Sequence, residues 1–136
     1  MKHQADYRVY YEDTDAGGIM YHGNFINFCE RGRSELLRHV GIPASEVWDK
    51  TGVGFVVRHI DAEYTAMVKL DDLLNVFTVV TAMKNSSFTM EQEVFCQNKA
   101  VFKMDVTIVC IDKKGKPTRI PDALREKFKD YIKDED

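Results

Sequence analysis

One segment of this chain carries a helical repeat of apolar residues over about four turns, and most of the chain beyond it alternates instead. Between about Asn24 and His39, Phe25, Phe28, Cys29, Gly32, Leu36 and Leu37 recur three or four apart and share one face. Asn24 stands where an N-cap belongs, and Gly41-Ile42-Pro43 is a stop signal. Gly32 costs about 1 kcal/mol against Ala inside a helix, so it predicts a close approach on the packed face. From Phe55 the period falls to two: Val56, Arg58, Ile60, Ala62 and Tyr64 alternate with Phe55, Val57, His59, Asp61 and Glu63. Further alternating runs span Leu74 to Met83, Phe88 to Cys96 and Val101 to Ile111, with Asn85-Ser86 and Asn98-Lys99 as turns, a pattern that predicts an antiparallel meander. Upstream, Tyr7-Arg8-Val9-Tyr10-Tyr11 reads as a strand on its aromatic and β-branched content. Asp122 to Lys133 carries Leu124, Phe128, Tyr131 and Ile132 at helical spacing, which fits a helix packed on the domain's own surface.

A helix with one apolar face and an antiparallel sheet of five strands must bury those faces against each other. The economical arrangement is an α+β fold with the sheet curled around one long central helix, as a single domain over residues 1–136. It leaves a sheet edge that dimerisation would cover. At 136 residues the chain buries enough surface to fold without disulfides or metals. Its three cysteines, Cys29, Cys96 and Cys110, have no C-x-x-C or zinc-ligand spacing and lie among apolar residues, as free thiols do in a reducing compartment. The N-terminus has no apolar targeting segment, and the longest apolar run, Ile108-Val109-Cys110-Ile111, is far short of a membrane span. A net charge of −3 supplies no global attraction for nucleic acid. These features predict a cytoplasmic, soluble domain.

The chemistry concentrates between the first strand and the helix, where Tyr11, Glu12, Asp13, Asp15, Tyr21 and His22 run into Gly23-Asn24. A helix start presents unpaired N–H groups and a partial positive charge, which suit a developing oxyanion or a phosphate. A carboxylate, an imidazole and a phenol beside such donors suffice to hydrolyse an activated carbonyl. The same spacing mimics the start of a calcium loop, but Gly17 and Asn24 occupy positions that need ligands and a strand precedes it. No second His lies nearby to complete a usual transition-metal set, so no metal is expected. Acidic residues before a helix also occur simply as surface groups that complement its dipole.

The stretch Arg8-Val9-Tyr10-Tyr11-Glu12-Asp13-Thr14-Asp15-Ala16-Gly17-Gly18-Ile19-Met20-Tyr21-His22 closely resembles the signature of hotdog-fold acyl-CoA thioesterases. These form the 4-hydroxybenzoyl-CoA thioesterase family, and the resemblance is to its Tol-Pal-associated (YbgC-type) branch. The similarity continues through Phe28-Cys29-Glu30-Arg31-Gly32-Arg33, Leu36-Leu37-Arg38, Phe55-Val56-Val57-Arg58, Glu63-Tyr64 and Leu70-Asp71-Asp72, and weakens after about residue 112. It implies the hotdog fold and an active site at the interface of a homodimer, often doubled to a tetramer. Asp15 would be the essential carboxylate, with His22 and Tyr11 at the branch's other two active-site positions. The backbone N–H of His22 or Gly23 would polarise the thioester carbonyl. The hairpin Lys84-Asn85-Ser86-Ser87, with Arg58, would contact the CoA phosphates. Met20, Gly32 and Ala66-Met67-Val68 depart from common family residues, the last by lacking a proline, and Met20 and Gly32 bear on the acyl pocket.

The resemblance thus implies hydrolysis of acyl-CoA without metal or redox cofactor, coenzyme A being part of the substrate. A Tol-Pal or phospholipid-synthesis setting is implied by the branch alone. Two rival functions share the scaffold: an enoyl-thioester hydratase or dehydratase, and a non-catalytic acyl-CoA-binding scaffold.

Overall fold

The computed structural model describes residues 1–133. Its elements run in the order β1 (His3–Arg8), α1 (Asn24–His39), α2 (Val47–Thr51), β2 (Gly54–Tyr64), β3 (Leu73–Met83), β4 (Ser87–Cys96), β5 (Lys99–Ile111) and α3 (Asp122–Phe128). The strands make one antiparallel sheet in the order β1-β3-β4-β5-β2, so β1 and β2 are its edges. One central helix against a five-stranded antiparallel sheet is the α+β hotdog layout that the sequence implies.

The six residues of the helical repeat are the six that α1 buries. They meet Leu74, Val76, Val94, Phe102 and Met104 of the sheet in a core that extends from Val9 to Tyr131. Gly32 sits at the closest approach: a Cβ there would lie 2.7 Å from Val76 Cγ1. Overpacking of this kind costs about 1–3 kcal/mol, against about 1 kcal/mol gained in helix propensity. Gly32→Ala is therefore expected to lower the urea midpoint at unchanged slope, and a raised midpoint would show that the helix has room to move.

Several boundaries differ from the sequence reading. The first strand runs His3–Arg8 and so shares only Tyr7 and Arg8 with the expected Tyr7–Tyr11, with His3, Ala5 and Tyr7 turned inward and Gln4, Asp6 and Arg8 outward. A polar His on the inner face hides that alternation. Tyr10 and Tyr11 are exposed, and Tyr11–Asp13 is a 3₁₀ turn. Gly23, not Asn24, is the N-cap; the Asn24 amide instead donates to the Asp13 carbonyl at 2.9 Å. The β4–β5 turn is Gln97-Asn98, both left-handed at φ 51° and 64°, which places Lys99 already in the ladder opposite Cys96. Between the helix stop signal and the alternating runs, residues 44–51 form a 3₁₀ turn and α2, anchored by buried Val47. The C-terminal helix ends at Phe128 and passes into a 3₁₀ turn over Lys129–Tyr131. Leu124, Phe128 and Tyr131 join the core as expected, while Ile132 stays exposed and bridges Val80 of β3 in parallel, past the end of the β1 pairing.

Among the described residues no helix is long and apolar enough to cross a membrane. All three cysteines are free. Burial is the main reason the Cys29 thiol rises from 9.0 to about 12. The same cause lifts Cys110 to about 11 and the Tyr7 phenol from 10.0 to about 12. In each case the unfolded chain loses its proton first as pH rises, so the native state binds the excess protons and stability falls upward from about pH 9. Urea midpoints are expected to drop between pH 8.5 and 10.5, and Cys29→Ala to flatten the decline. An unchanged slope in that variant would place the effect elsewhere.

Candidate active site

The loop from Val9 to Gly23 is held by backbone and side-chain bonds that divide its two aspartates into different tasks. Asp13 is 8% exposed. Its carboxylate accepts the Tyr10 N–H at 2.9 Å, and its carbonyl accepts both the Tyr21 N–H and the Asn24 amide. That carboxylate is the structural one, closing the turn onto Tyr10, while the Asp13 carbonyl fastens the loop to the helix start. Asp15 is exposed, and its Oδ1 accepts the Gly17 N–H at 2.8 Å in a tight turn. Gly18, at φ 82°, completes the turn and permits the Asp15 N–H to reach the Ile19 carbonyl at 2.8 Å. The short hairpin so formed is pinned where Met20 N–H donates to the Val68 carbonyl and where Ile19 bridges Lys69.

Past Met20, Tyr21 and His22 lead into α1. The His22 ring lies against Tyr21, with centroids 4.5 Å apart, and edge-on to Tyr64 at 6.0 Å. Behind them Phe25 stacks on Phe102 at 4.9 Å, and Tyr64 closes on the same Phe102 at 4.9 Å. Asp15 and His22 thereby line one open pocket of about 420 Å³, whose walls are Ile19, Met20, Phe25 and the 64–67 segment after β2. Among the described residues the backbone N–H groups of His22 and Gly23 donate to no protein acceptor, whereas those of Asn24 and Phe25 are turned into the Tyr21 and His22 carbonyls. A carboxylate and an imidazole therefore share an apolar pocket, and the two uncommitted N–H donors belong to His22 on its wall and to Gly23, the next residue, at the helix start.

The other residues named from the sequence lie elsewhere in the protomer. Tyr11 is 81% exposed and lines a separate shallow cavity with Arg8, Tyr10, Leu70 and Asp71. Arg58 is exposed at the bulge of edge strand β2, where the register to β5 shifts between Val57 and His59. The hairpin Lys84-Asn85-Ser86-Ser87 stands at the opposite end of the sheet. On β5, Phe102 pairs with Tyr64 at the pocket and Ile108 pairs with Phe88 beside the hairpin, a separation of roughly 20 Å along the strand. Lys84 and Asn85 are exposed there, and their carbonyls are held by the Arg125 guanidinium at 2.7 and 3.0 Å. Sequence reasoning did not assign Tyr64 or Thr65 to the site. The signal for Tyr64 was an aromatic at the end of an alternating run, a pattern as common in cores as in pockets.

The model of the thioesterase-like superfamily matches residues 9–128. The chain is 40% identical over 124 residues to an acyl-CoA thioester hydrolase YbgC of Escherichia coli O6:H1, covering 90% of this chain and 92% of that one. It is 37% identical to the acyl-CoA thioesterase YbgC of Haemophilus influenzae, covering 89% and 90% respectively. Among solved structures, a probable thioesterase from Bartonella henselae superposes with a TM-score of 0.84 at 33% identity, over 89% of this chain and 100% of that one. Fold, loop signature and these similarities agree, and the chain belongs to the thioesterase-like superfamily, in its YbgC-type branch of hotdog-fold thioesterases.

Proposed function

We propose that this thioester hydrolase cleaves acyl-CoA to the free acid and CoA, with Asp15 as its central carboxylate, His22 beside it and the His22 and Gly23 N–H groups as oxyanion donors. The observation that carries the reading is that Asp15 and His22 line one pocket, beside a helix start whose His22 and Gly23 N–H groups have no protein acceptor among the described residues. Asp15 either takes a proton from an attacking water or attacks the carbonyl to give a mixed anhydride that water then opens. In both routes the C–S bond breaks and the sulfur leaves as a thiolate, a good leaving group because its thiol pKa is about 8.5. His22 orients the water or protonates the sulfur. Hydrolysis of a thioester asks for neither an electron carrier nor a metal. The setting proposed is cytoplasmic, with a place in Tol-Pal function or phospholipid synthesis suggested by the branch.

Assembly as a homodimer explains why the remaining residues are scattered in one protomer. Edge strand β2 exposes Val57, Ile60 and Tyr64 on the face shared with Ile108, Val106 and Phe102 of β5, and Val56 on the other, so its unpaired edge carries apolar groups on both sides. Antiparallel pairing of two β2 strands about a twofold axis carries the hairpin end of one sheet to the acid-loop end of the other. A CoA lying across that seam would run from one protomer's Asp15 toward the partner's Arg58 and Lys84–Ser87, whose charge and hydrogen-bond donors suit phosphates. Tyr11, exposed on the loop, is then available to the substrate or to the seam. Ile60→Lys is expected to shift the light-scattering mass to the monomer and to lower turnover with it; wild type that is already monomeric would sink the shared site, and a doubled dimer would read as a tetramer.

Thiol release from short, long and aromatic acyl-CoAs tests the activity and names the acyl class. Binding without release from any thioester would favour an acyl-CoA scaffold. Hydration of an enoyl thioester without hydrolysis would favour the hydratase.

A further inference from the structure

A second cavity, of about 350 Å³, lies between the middle of α1, α2 and the Gly54 end of β2. Its walls are apolar, built from Leu37, Val47, Phe88, Met90, Ile108 and Phe128. Into this lining α1 sets the Arg33 guanidinium, half-buried, at the side of the cavity. Arg33 Nη1 donates to Gln92 Oε1 at 2.9 Å. Gln92 is fully buried, and its amide nitrogen is already spent on the Cys29 carbonyl at 2.8 Å and the Thr78 hydroxyl at 3.0 Å. The amide can therefore offer Arg33 only its neutral oxygen.

That is a poor match for a guanidinium with five N–H donors and a full charge. Among the described residues Arg33 makes no ion pair within 4.0 Å and no second side-chain hydrogen bond. Burial works against its charge, and the Glu30 carboxylate only partly opposes that pull. Glu30 also lines the cavity, but it is exposed at the rim, engaged with the Ser34 hydroxyl at 3.4 Å, and screened by water. A cation withdrawn from water with one neutral partner is costly, and a methionine of similar length would fill the same space without that cost. The free fork and the apolar walls fit one class of ligand: a carboxylate joined to a hydrocarbon or aromatic body.

We propose that this cavity binds an amphipathic carboxylate, its apolar body against Leu37, Phe88, Met90 and Phe128 and its carboxylate on the Arg33 guanidinium. Two sources share that chemistry. One is a free acid of the kind thioester hydrolysis releases. The other is the far carboxylate of a dicarboxylic monothioester, whose thioester would lie at the partner copy's acid loop; this source alone rests on the function and dimer proposed above.

Titration calorimetry on the intact protein with decanoate and with decanol, the same tail without the charge, tests the site. Decanoate is expected to bind about tenfold or more tightly than decanol, and Arg33→Met to erase that preference while decanol binding persists. Ala44→Glu, at an exposed position on the cavity mouth, is expected to weaken decanoate selectively and carries the test if Arg33→Met does not fold. Hydrolysis of adipyl-CoA against hexanoyl-CoA separates the sources. A preference for adipyl-CoA that vanishes in Arg33→Met assigns the carboxylate to the substrate; equal rates beside tight decanoate binding assign it to the free acid. Equal affinity for decanoate and decanol, or no binding of either, would overturn the proposal and leave Arg33 as a clamp between α1 and β4. Because calorimetry needs no turnover, a protein that binds decanoate but cleaves no thioester would refute the hydrolase reading and not this one.

Discussion

Asp15→Asn is expected to lower kcat for acyl-CoA hydrolysis by at least about 10²-fold, the lower end of what a positioned general base supplies. The substitution keeps the side-chain oxygen that accepts the Gly17 N–H, so the turn and the fold should survive. What it removes is the negative charge needed to deprotonate water or to attack the thioester. The size of the loss also bears on the mechanism, since a missing nucleophile leaves less residual turnover than a missing base. Single turnover in ¹⁸O-labelled water tests the anhydride route: label entering the Asp15 carboxylate marks an anhydride opened at the Asp15 carbonyl, whereas label confined to the product acid fits direct attack by water or an anhydride opened at the acyl carbonyl. Asp13→Asn is the informative control. Its carboxylate faces the Tyr10 N–H within the loop and not the pocket, so its cost should appear in stability before it appears in chemistry. Equal kcat values for wild type and Asp15→Asn would remove Asp15 from the site while leaving the fold and family unchanged.

Phe102→Ala is expected to be strongly destabilising, at about 3–5 kcal/mol for loss of a buried phenylalanine. Phe102 is 1% exposed and touches both Phe25 and Tyr64. The corresponding fall in Tm is on the order of 10 °C for a domain of this size. A functional loss should accompany it even below the transition, because Phe25 and Tyr64 form the pocket wall that holds the His22 ring in place. Phe102→Leu keeps most of the volume and should recover most of the stability. A full recovery of Tm without recovery of turnover would show that the aromatic stack orients the site beyond filling space. Native-like stability in Phe102→Ala would mean that the stack is not part of the core.

How much of the fold was legible in the sequence depended on the kind of signal. The buried face of α1, the limits of β3 and β4 to within a residue and the end of β5 came from periodicity, because long elements with one dry face repeat their pattern many times. The first strand did not, since it is a short edge strand whose inward residues include His3 and whose outward ones are polar. β2 was found as a strand, yet its alternation did not sort residues into inside and outside: Val56 and Val57 are both exposed. A strand at an edge meets its partner only in an assembly, so its side chains answer to surfaces that one chain does not contain. The turn at Gln97-Asn98 was missed by one residue because local composition favours Asn and Lys equally as flanks. Only the register against β5 decides which pair takes the left-handed conformation.

The same division runs through the site. Residue types in the acid loop, together with the family signature they resemble, were enough to single out Asp15 and His22 and to expect donors at the helix start, because these groups lie within a few residues of each other. Their separate roles were not readable there. Asp13 and Asp15 are chemically alike and two residues apart, and only the three-dimensional path of the loop turns one inward onto Tyr10 N–H and the other toward the pocket. Tyr64, Phe102 and Arg33 take their places through contacts between segments far apart in sequence, for which a single chain read end to end carries no local mark. Sequence dictated what repeats or lies close along the chain: the helix face, the meander and the chemistry of the loop. Tertiary structure decided which of those groups are desolvated and that Arg33 is half-buried with no carboxylate within 4.0 Å among the described residues, because burial and hydrogen-bond satisfaction are properties of the packed whole.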